Sequence, residues 1–156
     1  MERTLIILKP DAVQRALVGQ IIARFEAKGL KILGLKMIRI APELAERLYE
    51  AHRGKDFYEP LLRYITSSPV VVMVLGGAEA VDVVRRMMGS TFGADAEPGT
   101  IRGDLAVSRR YNLVHGSDSR AAAEREIGLF FSADELLEYE RLGEGWIYDL
   151  AGPEPV

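Results

Sequence analysis

The chain has no cysteine among its 156 residues, which excludes disulfides, zinc–thiolate sites and thiol catalysis and fits a reducing compartment. Positive charge is not in excess: 20 Lys and Arg face 23 Asp and Glu, a net charge of -3. A general nucleic-acid-binding surface therefore has no electrostatic support, while a local basic pocket stays open. Long apolar runs are missing too. The longest, Val70 to Leu75, stops at Gly76-Gly77, far short of the roughly 20 residues that span a membrane. The apolar stretch in Met1–Lys9 is too short and too soon interrupted for a signal peptide, so the expected location is cytoplasmic. Neither common glycine-rich phosphate cradle, Gly-x-x-x-x-Gly-Lys-Ser/Thr or Gly-x-Gly-x-x-Gly, is present.

Hydrophobic residues make up 48% of the chain, enough for a proper core. No repeat or low-complexity linker divides it, so one domain over 1–149 with a tail at 150–156 is expected. Thr4–Leu8 reads as a short apolar strand. Val18, Ile21, Ile22 and Phe25 recur at helical spacing, with Gly29 as the stop. Ile32–Ile40 reads as a strand, and Pro42 suits the first turn of a helix carrying Ala45, Leu48 and Tyr49. Phe57, Leu61, Tyr64 and Ile65 form another helical stripe. Val70–Leu75 is apolar throughout, as expected of a strand covered on both faces. Ala80, Val81, Val84, Met87 and Met88 mark a further helix, closed by Gly89. Periodicity vanishes from Ser90 to Asp104, a loop long enough to expect function in it. A strand over Asn112–His115 follows, then a helix with Ala123, Ile127, Phe130 and Phe131 inward. Ser132-Ala133-Asp134-Glu135 has the form of a capping box and predicts a last helix. Strands separated by helices on one side of a sheet give an α/β (α+β) class: a ferredoxin-like sandwich, its four-stranded antiparallel sheet packed with helices.

One of only two histidines, His115, ends the short apolar run just before Gly116-Ser117-Asp118. A strand stopping in such a turn holds its last side chain rigidly beside backbone N–H groups. Imidazole is a good nucleophile at neutral pH, and one ring nitrogen can react while the other fixes the tautomer. Lys9 at a strand end, Arg85 in a last helical turn, Thr91 just beyond it and Arg102 in the long loop supply the charges and donors that a phosphate chain needs. Taken singly, each has an ordinary alternative: a solvated strand end, a helix C-terminal charge, a loop-anchoring ion pair. Spacing along the chain does not show that they converge.

The stretch Asn112-Leu113-Val114-His115-Gly116-Ser117-Asp118-Ser119 resembles the active-site signature of nucleoside diphosphate kinases. So do Thr4-Leu5-Ile6-Ile7-Leu8-Lys9-Pro10-Asp11, Pro98-Gly99-Thr100-Ile101-Arg102-Gly103-Asp104, Glu126-Ile127-Gly128-Leu129-Phe130 and Trp146-Ile147-Tyr148. The motifs run in the family's order from about Thr4 to Asp149. The resemblance implies that His115 takes the γ-phosphate of a nucleoside triphosphate, typically ATP, and passes it to a nucleoside diphosphate. Lys9 would contact the phosphates and the sugar 3′-hydroxyl, and Asn112 the same hydroxyl. Arg85, Thr91, Arg102 and the Tyr49 hydroxyl would bind phosphate oxygens. Phe57 would stack on the base with Leu61 beside it, and Ser117 and Glu126 would support His115. Mg2+ would ride on the nucleotide phosphates. Homo-oligomers, hexamers or tetramers built from a common dimer, are implied as well, with the Val70–Leu75 strand and the Pro98–Gly103 loop as candidate interfaces; neither a membrane nor a nucleic acid is required.

Phe57 and Leu61 fit a core stripe equally well, and His52 matches no family role, so it is read as structural or exposed. Two departures stand out: Asp56 where the family often has proline, and Arg109 where many members have a small or apolar residue near the base. Rival readings fare worse. Phosphohistidine hydrolases and mutases commonly place arginine directly before the nucleophile, and here Leu113 and Val114 precede it. An inactive relative or phosphocarrier would be expected to have lost Lys9, Arg85, Arg102 or Asn112, and all four are present.

Overall fold

One central strand feeds two cores. In the computed structural model, which describes residues 1–152, β1 (Glu2–Leu8) turns Ile6 and Leu8 to one face and Leu5 and Ile7 to the other, and all four are fully buried. The chain continues through α1 (Pro10–Gln14), α2 (Val18–Ala27), β2 (Lys31–Ile38), α3 (Pro42–Leu48) and α4 (Tyr58–Thr66). Then come β3 (Val70–Gly77), α5 (Ala80–Met88), α6 (Ile101–Leu105), β4 (Val114–Gly116) and α7 (Arg120–Phe130). The four strands pair antiparallel throughout in the order β2-β3-β1-β4, the ferredoxin-like arrangement expected.

Helices cover both faces of the sheet, not one. Ile21 and Phe25 of α2 and Val84 and Met88 of α5 pack with Ile6, Leu8, Val71, Met73 and Leu75. Ala45 and Leu48 of α3, Ile65 of α4 and Phe130 of α7 pack with Leu5, Ile7, Val70, Val72 and Val74. Every residue of β3 is buried between these layers, as its unbroken apolar sequence requires. At roughly 1.5–3 kcal/mol per buried aliphatic side chain, the two cores rather than helix propensity hold segments as short as α1 and α6. It also follows that Val70–Leu75 lies inside the subunit, so it offers no surface to another copy.

Local departures from the expected elements have identifiable causes. Strand β2 stops at Ile38, and α1, only five residues long, is too brief to show a period. The irregular segment after Gly89 contains a 3₁₀ turn at Gly93–Asp95 and then α6, whose Thr100 hydroxyl accepts from Gly103 N at 3.0 Å. The predicted last helix is a single 3₁₀ turn, Ala133–Glu135. Its Ser132 N and Oγ do donate to Glu135 Oε2 (2.9 and 3.1 Å). Beyond it the chain finds better partners on β2: Leu137 N donates to Leu33 O at 2.8 Å and Tyr139 Oη to Ile32 O at 2.9 Å. Of the tail expected at 150–156, residues 153–156 lie outside the described residues.

Candidate active site

The end of β1 and the start of β4 lie side by side, with Ile7 opposite His115 and Leu8 opposite Val114. This register brings Lys9, the residue after β1, beside the residues that lead into β4. Lys9 N donates to Leu113 O at 2.8 Å, and Lys9 Nζ donates to Asn112 Oδ1 at 2.7 Å. Strand β4 begins two residues later than the apolar run suggested, because Leu113 adopts φ +69. Val114 N donates to Asn112 O across it at 2.8 Å, a γ-turn of the strained hand. A branched residue in the left-handed region costs of order 1–3 kcal/mol, a cost usually met where the geometry serves a site.

A cleft of about 960 Å³ opens over this junction. Ten of the predicted residues line it: Lys9, Tyr49, Phe57, Leu61, Arg85, Thr91, Arg102, Asn112, His115 and Glu126. The eleventh, Ser117, is fully buried beside His115. Ser117 Oγ donates to Glu126 Oε2 at 2.7 Å and accepts from Leu5 N at 3.3 Å. His115 Nε2 lies 2.9 Å from the same carboxylate oxygen. Burial acts to raise the Glu126 pKa, but the hydrogen bonds from His115 and Ser117 outweigh it and hold the carboxyl below its usual range. An ionised carboxylate only accepts, so the imidazole proton resides on Nε2 and the free lone pair on Nδ1.

The cations are packed with little compensation. Lys9 is buried, and burial together with Arg102 brings its pKa down to about 7 against the opposing pull of Asp11. Burial and the neighbouring Arg85 push Arg102 down to about 10. The Arg102 fork donates to Asn112 O (3.1 Å), Gly89 O (3.0 Å) and Val114 O (2.7 Å), tying α5, α6 and β4 together. Gly89 follows α5 at φ +82, where an added Cβ would lie 2.4 Å from Thr100 Oγ1, so no other residue lets the loop approach there. Asn112 Nδ2 donates to Thr91 O at 2.9 Å. Buried cations sharing one cleft are stabilised by an incoming anion.

Aromatic rings line the other wall. Tyr49 presents its edge to His115 (centroids 5.9 Å apart, 83°). Its hydroxyl is buried without a partner among the described residues, and burial and Glu126 raise its pKa, so it remains a donor. Phe57 precedes α4 and is 48% exposed, which separates it from a core stripe; Leu61, one turn on, is half-buried. His52, expected to be structural or exposed, lies between Tyr49 and Phe57 (6.1 and 5.2 Å between centroids) and lines the cleft. Arg109 also lines it, its guanidinium 5.1 Å from the Phe92 ring and 3.8 Å from Asp95; Asp56 does not reach the lining. Sequence reasoning passed over Asp11, Tyr64 and Arg125. Arg125 donates to Arg47 O and Leu48 O at the end of α3 (3.0 and 3.3 Å), beside Tyr49; nothing in its residue type signals that role.

A family profile described as nucleoside diphosphate kinase matches residues 2–136. The chain belongs to the nucleoside diphosphate kinase family. It is 60% identical over 149 residues to the nucleoside diphosphate kinase of Pelotomaculum thermopropionicum, a match covering 96% of this chain and 100% of that one. Among solved structures, a halophilic nucleoside diphosphate kinase from Halobacterium salinarum in complex with CDP superposes with a TM-score of 0.93 at 50% identity, covering 94% of this chain and 98% of that one. A transition-state mimic of the Borrelia burgdorferi nucleoside-diphosphate kinase, with vanadate and ADP bound, does so with 0.88 at 37% identity, covering 92% and 94%. As a nucleoside diphosphate kinase, the chain is a phosphotransferase that moves the terminal phosphoryl group of a nucleoside triphosphate to a nucleoside diphosphate through a phosphohistidine.

Proposed function

We propose that His115 is the phosphorylated histidine and that the surrounding cleft binds donor and acceptor nucleotides in turn. The 2.9 Å contact between His115 Nε2 and Glu126 carries this reading, because it directs the Nδ1 lone pair to the reaction. Nδ1 attacks the γ-phosphorus, the N–P bond forms, and the bond to the β,γ-bridging oxygen breaks with its electron pair leaving on the diphosphate. The Nε2 proton stays in the Glu126 hydrogen bond throughout. A terminal oxygen of the second diphosphate then attacks the same phosphorus and releases His115. Such transfer needs positioning and charge neutralisation more than acid–base work.

Lys9, Arg85, Arg102, Thr91 and the Tyr49 hydroxyl take the phosphate oxygens, and Lys9 with Asn112 holds the sugar 3′-hydroxyl. Phe57 takes the base by its face, with Leu61 beside it, so purines and pyrimidines on either sugar are accepted. Among the described residues only Asp118 and Glu126 bring carboxylates to the cleft lining, Glu126 is engaged by His115 and Ser117, and no cluster of three His, Asp or Glu occurs there. That donor set fits Mg2+ held by the nucleotide phosphates, where it offsets their charge. Residues 1–149 act as one catalytic domain.

A homo-oligomer of dimers, hexamer or tetramer, is supported by Leu35 and Met37, exposed on edge strand β2, and by exposed Leu142, Trp146 and Leu150 near the C-terminus. Native mass spectrometry reads the number of copies directly. No helix among the described residues is long and apolar enough to cross a membrane, and we place the enzyme in the cytoplasm. Stoichiometric γ-³²P-ATP with magnesium and no acceptor tests the central assignment. An acid-labile, alkali-stable label that moves to GDP, and is absent in His115→Ala, is expected; label released only as free phosphate would indicate a hydrolase instead.

A further inference from the structure

We propose that Asp11 is a positioning residue for phosphoryl transfer: its carboxylate holds the left-handed turn at Leu113 from which Asn112 and His115 are set into the cleft. This rests on the roles given above to His115, Asn112 and Lys9. Asp11 is the second residue of α1, after Pro10. Its Oδ2 accepts from Leu113 N at 3.1 Å, and its Oδ1 accepts from the Tyr64 hydroxyl.

Leu113 N is the donor that the γ-turn cannot satisfy, since the turn closes from Val114 N to Asn112 O. Leu113 O is taken by Lys9 N. Both backbone groups of the strained residue are therefore anchored to the junction of β1 and α1, one through the main chain and one through Asp11. A charged acceptor binds such an N–H more strongly than a neutral one. Without it, the leucine relaxes toward negative φ, and the chain entering β4 turns. That displaces Asn112 from Lys9 Nζ and Thr91 O and changes how His115 meets the phosphorus. Tyr64 fixes the carboxylate from α4, and its own ring packs against Tyr111, 4.9 Å between centroids.

The carboxylate has a second effect on the same site. Lys9 is faced by Asp11 from α1, by Arg102 from α6, by the Tyr64 ring of α4 (5.5 Å) and by Asn112 ahead of β4. Asp11 is the acid in that set, and it favours the ammonium form of Lys9 against burial and Arg102. A neutral residue at position 11 therefore lets Lys9 lose its proton at lower pH.

The test compares Asp11→Asn and Tyr64→Phe with the intact chain in steady-state transfer, in single-turnover labelling of His115, in pH profiles and in thermal unfolding. Asp11→Asn is expected to lower kcat roughly 10–100-fold, the scale of a reacting group misplaced by about an ångström, and to raise KM by a smaller factor, since Asn112 and Lys9 also hold the nucleotide. The alkaline limb of its profile is expected to move to lower pH. Tyr64→Phe, which keeps the charge, should show a smaller kcat loss and no shift of that limb. A lowered melting temperature with kcat and the alkaline limb unchanged would reduce Asp11 to a structural role and overturn the proposal. Should Asp11→Asn not fold, an unchanged labelling rate in Tyr64→Phe would overturn it equally. His115→Gln separates the two readings: if it still becomes labelled and transfers, the nucleophile assignment fails, whatever Asp11→Asn does.

Discussion

Glu126 reaches His115 from α7 with the same carboxylate oxygen that Ser117 bonds from below, at 2.9 and 2.7 Å. One oxygen thus fixes the imidazole tautomer, while the serine hydroxyl, itself bonded by Leu5 N of the central strand, fixes the oxygen. The His115 imidazole is aimed by the core of the sheet rather than by the loop that presents it.

Glu126→Gln keeps the shape and an acceptor oxygen but removes the charge that stabilises the imidazole as it takes on phosphorus. Transfer should slow by roughly 10–100-fold, the range seen when the hydrogen-bond partner of a metal-ligating histidine is changed, with nucleotide binding preserved. Single-turnover phosphorylation of His115 measures it. An unchanged rate would mean that Glu126 only fills space. The carboxyl is also held below its usual range in the folded state, so it contributes stability at neutral pH that is lost as pH falls through its folded value.

Nucleotide binding should take up a proton above neutrality. Burial and Arg102 bring the Lys9 pKa down to about 7, and polyphosphate oxygens beside it favour the ammonium form. Between pH 7 and the raised value in the complex, affinity should fall as pH rises, with a slope approaching one proton; below pH 7 this group should contribute none. Calorimetry of ADP binding at pH 8 in two buffers of different ionisation enthalpy reads the uptake. Lys9→Gln should abolish it, and equal apparent enthalpies with the native lysine would contradict the burial argument.

Phe57→Ala should weaken all nucleotides by a similar factor, about 1–3 kcal/mol for a lost base–ring stack. The ring is half-exposed at the mouth of the cleft and is backed by His52, so its loss should leave the fold intact. Dissociation constants for ADP, GDP, CDP and dTDP decide the matter. A loss confined to one base would argue for edge recognition, with Arg109 the first residue to examine.

Which parts of this were legible in the chain depended on length of pattern. Strand β3 and helices α2 and α5 announced themselves because burial on both faces or on one stripe leaves an unmistakable period. Helix α1 has too few residues for a period, and the capping box at Ser132 specified a turn that tertiary partners on β2 then ended. The candidate site residues were legible by resemblance, and their convergence was not legible by physics. Nothing in a leucine codes for φ +69; the turn at Leu113 exists because Asp11, Lys9 and Arg102, distant in sequence, supply its hydrogen bonds. For Arg102 the sequence leaves open a phosphate ligand or a loop-anchoring ion pair; its three contacts are to carbonyls rather than to a carboxylate, and they add the anchoring duty.

That double duty makes Arg102 the residue whose replacement should be read in two ways at once. Arg102→Ala removes a cation from the phosphate site and should slow transfer by roughly 10³-fold, as for other arginines that stabilise phosphoryl transfer. It also strands the carbonyls of Gly89, Asn112 and Val114, of which Asn112 O retains Val114 N. Each acceptor left buried and unpaired costs about 1–3 kcal/mol, so urea unfolding should shift as well. Arg102→Lys keeps a charge but cannot span three acceptors in a fixed plane. It should therefore lose nearly as much stability as the alanine variant while retaining more transfer. Stability lost in both variants with transfer changed less than threefold would leave Arg102 an anchor of the β4 entrance, and would hand the phosphate charge to Lys9 and Arg85.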